Sequence, residues 1–246
     1  MPYEIPQPEH KARYVRRKFG EIARRYDLFN DLITQGQHRY WKNVLVGRLE
    51  LQGGERVLDL CCGTGDIALR CARRLGPRGR VVAADFSEQM LHVARTRLPV
   101  RPAGQGGPPL ALLCGDAMHL PFPDASFDAI AIGYGLRNVT HLEGCLAELR
   151  RVLKPGGVLA SLDVGKVRSR IVAALNHVYF FYVVPWIGRR LQPGQEMFTY
   201  LPESSRAYPH QDRLKELLRV QGFVRTELIE FLLGASVIHV ARKPAG

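Results

Sequence analysis

The sequence predicts an α/β fold, a mostly parallel sheet with helices on both faces. Three observations carry that expectation. Short apolar runs alternate with stretches of helical period, a Gly-rich turn joins the first run to the first such stretch, and the chain closes on two apolar runs near enough to form a hairpin. Ahead of the sheet, Phe19, Ile22, Ala23 and Tyr26 fall at i, i+3, i+4 and i+7, so the N-terminal part reads as helix. Arg56 to Leu60 is the first strand, Cys61-Cys62-Gly63-Thr64-Gly65 the turn, and Ile67 to Leu75 the helix behind it. Arg80 to Ala84 is the second strand, followed by Ser87 as a helix cap and a helix to about Leu98. Pro99 to Pro109 is a Pro/Gly-rich surface loop, because the alternation resumes with a third strand at Leu110 to Cys114. Phe127 to Ile132 is the fourth strand and His141 to Leu153 a helix. Lys154-Pro155-Gly156-Gly157 reads as a turn into the fifth strand, Val158 to Val164. Gln211 to Gln221 is the last helix, and Arg225 to Phe231 with Ser236 to Lys243 form the closing antiparallel hairpin around Gly234.

Composition narrows the function classes. A chain of 246 residues, 46% hydrophobic and 24% charged, is a packed globule rather than a disordered or fibrous chain. Its longest uninterrupted apolar run, Val178 to Ile187, contains Pro185 and falls short of the roughly 20 residues of a membrane span. Met1 to Lys18 lack an apolar core, so a cytoplasmic protein with reduced thiols is expected. The five cysteines show no Cys-x-x-Cys spacing and the eight histidines are scattered, so no metal site is expected.

The net charge is +12. No acid stands between Asp163 and Glu196, while Lys166, Arg168, Arg170, Arg189 and Arg190 flank Tyr179, Phe180, Phe181, Tyr182 and Trp186. Such a segment suits an anionic lipid surface, the cover of an oily pocket, or RNA gripped through phosphates and stacking. A general arginine bias, with Arg far outnumbering Lys, accounts for the charge without any partner.

The strongest chemical signal follows the first strand. Gly63-Thr64-Gly65 lets backbone approach a ligand at a helix N-terminus, and Asp85, with Phe86 beside it, ends the second strand where an acid takes two ribose hydroxyls. Gly63 to Ala68 also satisfies the dinucleotide pattern G-x-G-x-x-G/A. Asp59 inside the strand suits a ligand ammonium, which NAD lacks. Asp116 and Ala117 after the third strand can accept from and donate to an adenine.

These segments, together with Leu153-Lys154-Pro155-Gly156-Gly157, resemble the class I S-adenosylmethionine methyltransferases. That resemblance implies a Rossmann-like, seven-stranded sheet whose last strand is antiparallel. A narrower resemblance runs from Phe19 to Pro244. Ile22-Ala23-Arg24-Arg25-Tyr26-Asp27 with Asn30, Gly36 to Lys42, Leu120 to Asp124, Tyr134-Gly135-Leu136-Arg137-Asn138-Val139 and Tyr200 to Ser204 look like the ubiquinone/menaquinone biosynthesis C-methyltransferases. It implies an N-terminal helical lid over 1–50, a cofactor domain over 51–246 and a substrate cover over 166–210. It further implies methylation of a prenylated hydroquinone, most closely demethylmenaquinol, with a ubiquinone- or phylloquinone-type precursor as the alternative. Asp163-Val164-Gly165-Lys166-Val167 departs from the family's Glu-Phe-Ser-Lys-Pro run. Gly133 replaces a common Ser, leaving any cofactor contact there to backbone, and Cys61-Cys62 replaces Ala-Gly and reads as small packing residues.

The chemistry assigns roles. A ring carbon attacks a sulfonium methyl when its hydroxyl, with a pKa of about 10, loses a proton. Arg137 after the fourth strand stabilises a phenolate or polarises a water, or else forms a surface or interdomain salt bridge. Asn138 orients the same oxygen. His38 is the candidate base, or a capping residue beside Arg39 and Lys42. Tyr26 and Asp27 on the lid, with Arg206 and Tyr208, are candidate substrate contacts. Expected partners are a lipophilic quinol and, peripherally, an anionic membrane surface, with a homodimer open and nucleic acid disfavoured. An RNA methyltransferase and a noncatalytic membrane-bound binding protein are the competing readings.

Overall fold

The structure, a computed structural model, describes residues 8–99, 107–191 and 197–246. Most of the loop expected at Pro99 to Pro109 and part of the substrate cover therefore lie outside the described residues. The chain starts with α1 (Pro8–Ile22), a 3₁₀ turn (Ala23–Arg25), α2 (Tyr26–Thr34) and α3 (Gln37–Gly47). The single N-terminal helical period is thus interrupted at Ile22, and Tyr26 opens a new helix. Alternation follows through β1 (Arg56–Leu60), α4 (Asp66–Ala72), β2 (Arg80–Asp85), α5 (Glu88–Arg97) and β3 (Leu110–Cys114). Next come β4 (Phe127–Gly133), a 3₁₀ turn (Leu136–Asn138), α6 (Leu142–Val152) and β5 (Leu153–Val164). The remainder holds α7 (Arg170–Val178), a π-helical turn (Tyr179–Val183), α8 (Val184–Leu191), α9 (Met197–Ala207), α10 (Gln211–Val220), β6 (Val224–Phe231) and β7 (Ser236–Arg242).

The seven strands order as β3-β2-β1-β4-β5-β7-β6, with β7 antiparallel to both neighbours and the other pairs parallel. Side-chain alternation distributes the core. On β1, Val57 packs in the cluster with α3, α4 and α5, while Leu58 and Leu60 pack in the cluster with α6 and α10. Each such buried leucine contributes about 1.5–3 kcal/mol. Trp41, Leu45 and Val46 of α3 belong to the first cluster, so α3 covers the sheet as well as the pocket side.

A third cluster joins α1 and α2 to Met90, Val184, Tyr200 and Leu201, tying the N-terminal helices to the segment after β5. Lys154 to Gly157, expected as a turn, lie inside β5. Phe127 pairs with Leu153 and Ala129 with Val158, so the intervening residues bulge, with Gly156 at φ +76°.

A second departure concerns the aromatic segment. Continuous helix runs from Arg170 to Arg190 and is long and apolar enough, by length and composition, to cross a membrane, although the sequence expectation was that no segment would qualify. Counting an uninterrupted apolar run missed it because Asn176 and His177 break the run without breaking the helix.

Candidate active site

Strand order reverses between β1 and β4, the point where a parallel sheet opens a crevice at its C-terminal edge. Two adjoining cavities of about 490 and 370 Å³ lie there and share Cys61, Asp85, Phe86, Gly135 and Asn138, so they form one divided groove. Cys61 (φ +56°) and Tyr134 (φ +59°) hold left-handed backbone at the ends of β1 and β4, a strained conformation for residues with a Cβ. Between them Gly135 is required, because a Cβ there would stand 2.6 Å from that of Cys61.

Asp85 is buried, and its oxygens accept from the Gly63 amide at 2.8 Å and the Ser87 amide at 2.9 Å. Burial raises its pKa, with those amides pulling the other way. Its remaining lone pairs face the groove, as two ribose hydroxyls require. Asp116 and Ala117 line the larger cavity, where Asp116 is fixed by the Met118 amide at 2.9 Å. Gly63 and Gly133 line the smaller one, and Phe86 lines both. The groove therefore fits an adenosine with an amino-acid tail.

Asp59 does not line it. Strand alternation turns this side chain toward α4, where Oδ2 accepts from the Ala68 amide at 2.8 Å and Oδ1 is buried without a partner. Burial pushes its pKa up to about 8. It supports the Gly-rich turn from beneath. Thr64 and Gly65 face a separate cavity of about 760 Å³. The Thr64 hydroxyl donates to Asp27, which also pairs with Arg97, so this contact latches α2 to the turn. The roof of the groove is α1, through Ala12, Val15 and Phe19, strapped by Lys11 Nζ donating to the Val139 carbonyl at 2.8 Å. Tyr26 closes the smaller cavity from α2.

A larger cavity of about 1000 Å³ lies beyond Tyr134, which lines both it and the smaller cofactor cavity. Its walls are apolar in the main, with Ile33, Trp41, Phe180 and Leu201 among them. Three buried polar atoms of its lining residues make no well-formed hydrogen bond, Asn30 Nδ2, Tyr134 Oη and Arg137 Nε, although Asn30 lies beside the Tyr26 hydroxyl. Ser236 lies near the Tyr134 hydroxyl electrostatically but makes no well-formed hydrogen bond with it. Burial raises the Tyr134 pKa and keeps that hydroxyl protonated.

Arg137 is buried and pairs with Asp163 at 2.6 Å, its guanidinium 5.4 Å from the Tyr134 ring centre. Burial pulls its pKa down, but Asp163 and Tyr26 outweigh that and hold it above the ordinary value. Arg137 is thus a permanent cation and a donor. The salt bridge is buried, not at the surface, and it runs through Nη1, leaving Nε without a hydrogen bond.

Other expected site residues are placed elsewhere. Asn138 lines the cofactor groove, not the larger cavity. Its amide donates to the Tyr134 carbonyl at 3.0 Å and its oxygen accepts from the Tyr200 hydroxyl at 3.0 Å. His38 lies in the cavity with Thr64 and Asp66, bonded to Asp31 at 2.8 Å, and burial lowers its pKa. It does not line the larger cavity, to which α3 contributes Gln37 and Trp41. Arg206 is exposed, pairs with Glu203 and lies over Phe181, because its helix presents that face to solvent. Tyr208 packs with Leu214 and Leu217 under the sheet, away from both pockets. Asn30 and Tyr134 stand within sequence motifs that assign them no role; the signal at Tyr134 is a polar tip at the end of an apolar strand.

The ubiE/COQ5 methyltransferase family model matches residues 7–243. A demethylmenaquinone methyltransferase of Leptospira interrogans is 45% identical, over 99% of this chain and 98% of its own. A ubiquinone/menaquinone biosynthesis C-methyltransferase of Bordetella avium is 41% identical, over 96% of this chain and 89% of its own. Among solved structures, S-adenosylmethionine-dependent methyltransferases of Aquifex aeolicus and Thermotoga maritima are similar. Their TM-scores are 0.58 and 0.62, each at 20% identity, over 82% and 92% of this chain and 88% and 98% of theirs.

Proposed function

The chain belongs to the ubiE/COQ5 methyltransferase family, and from that premise we propose that its acceptor is a prenylated naphthohydroquinone, demethylmenaquinol, held in the cavity beyond Tyr134. The protein is an S-adenosylmethionine-dependent C-methyltransferase of quinone biosynthesis. The observation that carries the acceptor is the pair of buried donors without a well-formed hydrogen bond, Tyr134 Oη and Arg137 Nε, on residues that line a cavity of largely apolar surface. A buried donor without a partner costs about 1–3 kcal/mol, and an acceptor oxygen relieves that cost.

When bound, the cofactor would supply an electrophilic sulfonium methyl: its carbon–sulfur bond would break as the ring carbon takes the methyl, leaving S-adenosylhomocysteine, and the hydroxyl and ring-carbon protons would pass to water. Asp85, Asp116 and the Ala117 backbone hold the adenosine end, and the Gly63 turn, Gly133 and Tyr26 enclose the other. Arg137 Nε and Tyr134 Oη donate to the acceptor oxygen and stabilise the phenolate that forms. Asp163 and Tyr200 act one step removed, fixing Arg137 and Asn138. Because both donors keep their protons, neither takes the proton of the acceptor.

Tyr179 and Phe180, within the segment rich in arginine and aromatics, line one wall, which favours a lipophilic tail and peripheral attachment to an anionic membrane. The test is methyl transfer to naphthoquinol and benzoquinol side by side. Preference for naphthoquinol supports the reading. Preference for benzoquinol assigns the ubiquinone-type precursor instead, and label transferred to RNA but to neither quinol overturns both.

A further inference from the structure

Ile171, Leu175, Val178, Tyr182 and Trp186 recur at spacings of three or four along the continuous helix 170–190, and each is between 53 and 77% exposed. At helical period they form one stripe about 23 Å long, from roughly 1.5 Å per residue. The opposite side of the same helix is engaged. Val184 is fully buried in the third core cluster, Asn176, Tyr179 and Phe180 line the acceptor cavity, and the Tyr179 hydroxyl donates to the Ile33 carbonyl at 2.8 Å. An apolar face of this size turned to water, on an element whose other face lines a pocket for an oily substrate, needs a cover.

We propose that helix 170–190 is a membrane-docking element that lies in the plane of an anionic bilayer surface and seats the acceptor cavity on it. Charge chooses the occupant. Arg170, Arg189 and Arg190 stand at the two ends of the stripe, and no acidic side chain lies within the helix to oppose an anionic headgroup. Arg168, next in sequence, is already paired with Asp212 and Glu230 and adds little. Tyr182 and Trp186 are the residue types that settle at the headgroup level, and Arg190 lies 5.2 Å over the Trp186 ring, in no ion pair among the described residues.

The helix passes the length and composition test for a span, yet spanning would tear Val184 from its core and open the wall of the cavity. In-plane seating keeps both. Leu232, 53% exposed, lines the same cavity, and its neighbour Leu233 accepts from the Arg168 amide. A second apolar rim point therefore stands beside the entrance end of the helix. This inference rests on the quinol reading only for what passes into the cavity; the docking itself is independent of turnover.

The test is sedimentation of the full chain with phosphatidylcholine vesicles, with and without phosphatidylglycerol. It is paired with methyl transfer to a water-soluble, short-chain quinol without vesicles. The wild type is expected to bind the phosphatidylglycerol vesicles preferentially. Leu175→Ser with Trp186→Ser, both exposed and outside the pockets, weakens that binding ~10-fold or more. Arg189→Gln with Arg190→Gln lowers the anionic preference by ~5-fold per arginine. Both pairs keep the wild-type rate on the soluble quinol.

Vesicle binding unchanged in the serine pair overturns the docking, as does wild type that stays in the supernatant while remaining active on soluble quinol. Resistance to alkaline carbonate extraction overturns it in favour of a span. A concentration-dependent dimer lost in the serine pair, without vesicle binding, overturns it in favour of a second copy. Wild type that binds anionic vesicles through the stripe but methylates no quinol supports the docking and removes the quinol reading alone.

Discussion

In the cofactor groove, Asp85, Asp116 and Asn138 are each held by backbone or side-chain partners, whereas the acceptor cavity next to it keeps three buried polar atoms without a well-formed hydrogen bond. The proposed function accounts for the difference through what each region would bind. An adenosine meets oxygens already aimed by amides at strand ends, so the groove is set before the ligand arrives. A hydroquinone offers few polar atoms, and donors reserved for them must wait inside an apolar wall. Tyr134 belongs to both regions and marks their boundary.

The sharpest way to break this comparison is at Arg137. Arg137→Leu strands Asp163 without its partner and is expected to lower stability by about 3–5 kcal/mol. It should also lower kcat/KM by about 10²–10³-fold. Arg137→Leu with Asp163→Leu removes the stranded charge, so thermal melting recovers while turnover stays lost. Recovery of turnover in the double variant would make the pair purely structural.

Next in size is Asp85→Asn. The amide accepts on only one atom where the carboxylate accepts on two, so affinity for S-adenosylhomocysteine, read by calorimetry, should fall about 10–100-fold. The rate at saturating cofactor should change little.

Tyr134→Phe deletes a hydroxyl that bonds to nothing well. The melting temperature should stay within the range of a change of about 0.5 kcal/mol, homocysteine-product affinity should hold, and kcat should drop about 10-fold. A drop in stability without a drop in kcat would contradict the donor role.

The smallest effect is at His38. Its folded pKa lies below the ordinary 6.5, so the unfolded chain binds the proton more readily, and the stability it contributes is full above pH 6.5 and lost as pH falls through the folded value. His38→Gln should make the acid-side decline in melting temperature shallower and leave the kcat–pH profile unmoved. An inflection lost from that profile would restore His38 as the base.

The two regions also differ in how legible they were in sequence. β1 and β3 match their sequence-read ranges residue for residue, and Gly63, Asp85, Asp116 and Ala117 meet as expected, because short-range patterns at strand ends fix them. The acceptor cavity draws on Asn30, Trp41, Tyr134, Tyr179 and Leu232, which come together only through tertiary packing. Arg206 and Tyr208 show the limit of reading a role from residue type: one faces solvent and the other fills the core. Asp59 was read correctly as a buried acid, but strand alternation directs it beneath the turn instead of into the groove.

The most direct measurement is transfer of labelled methyl from S-adenosylmethionine to the reduced and the oxidised forms of one short-chain demethylnaphthoquinone, under identical conditions. Donors waiting for a phenolate predict label in the hydroquinone and none above background in the quinone. Equal rates with both forms would contradict the account.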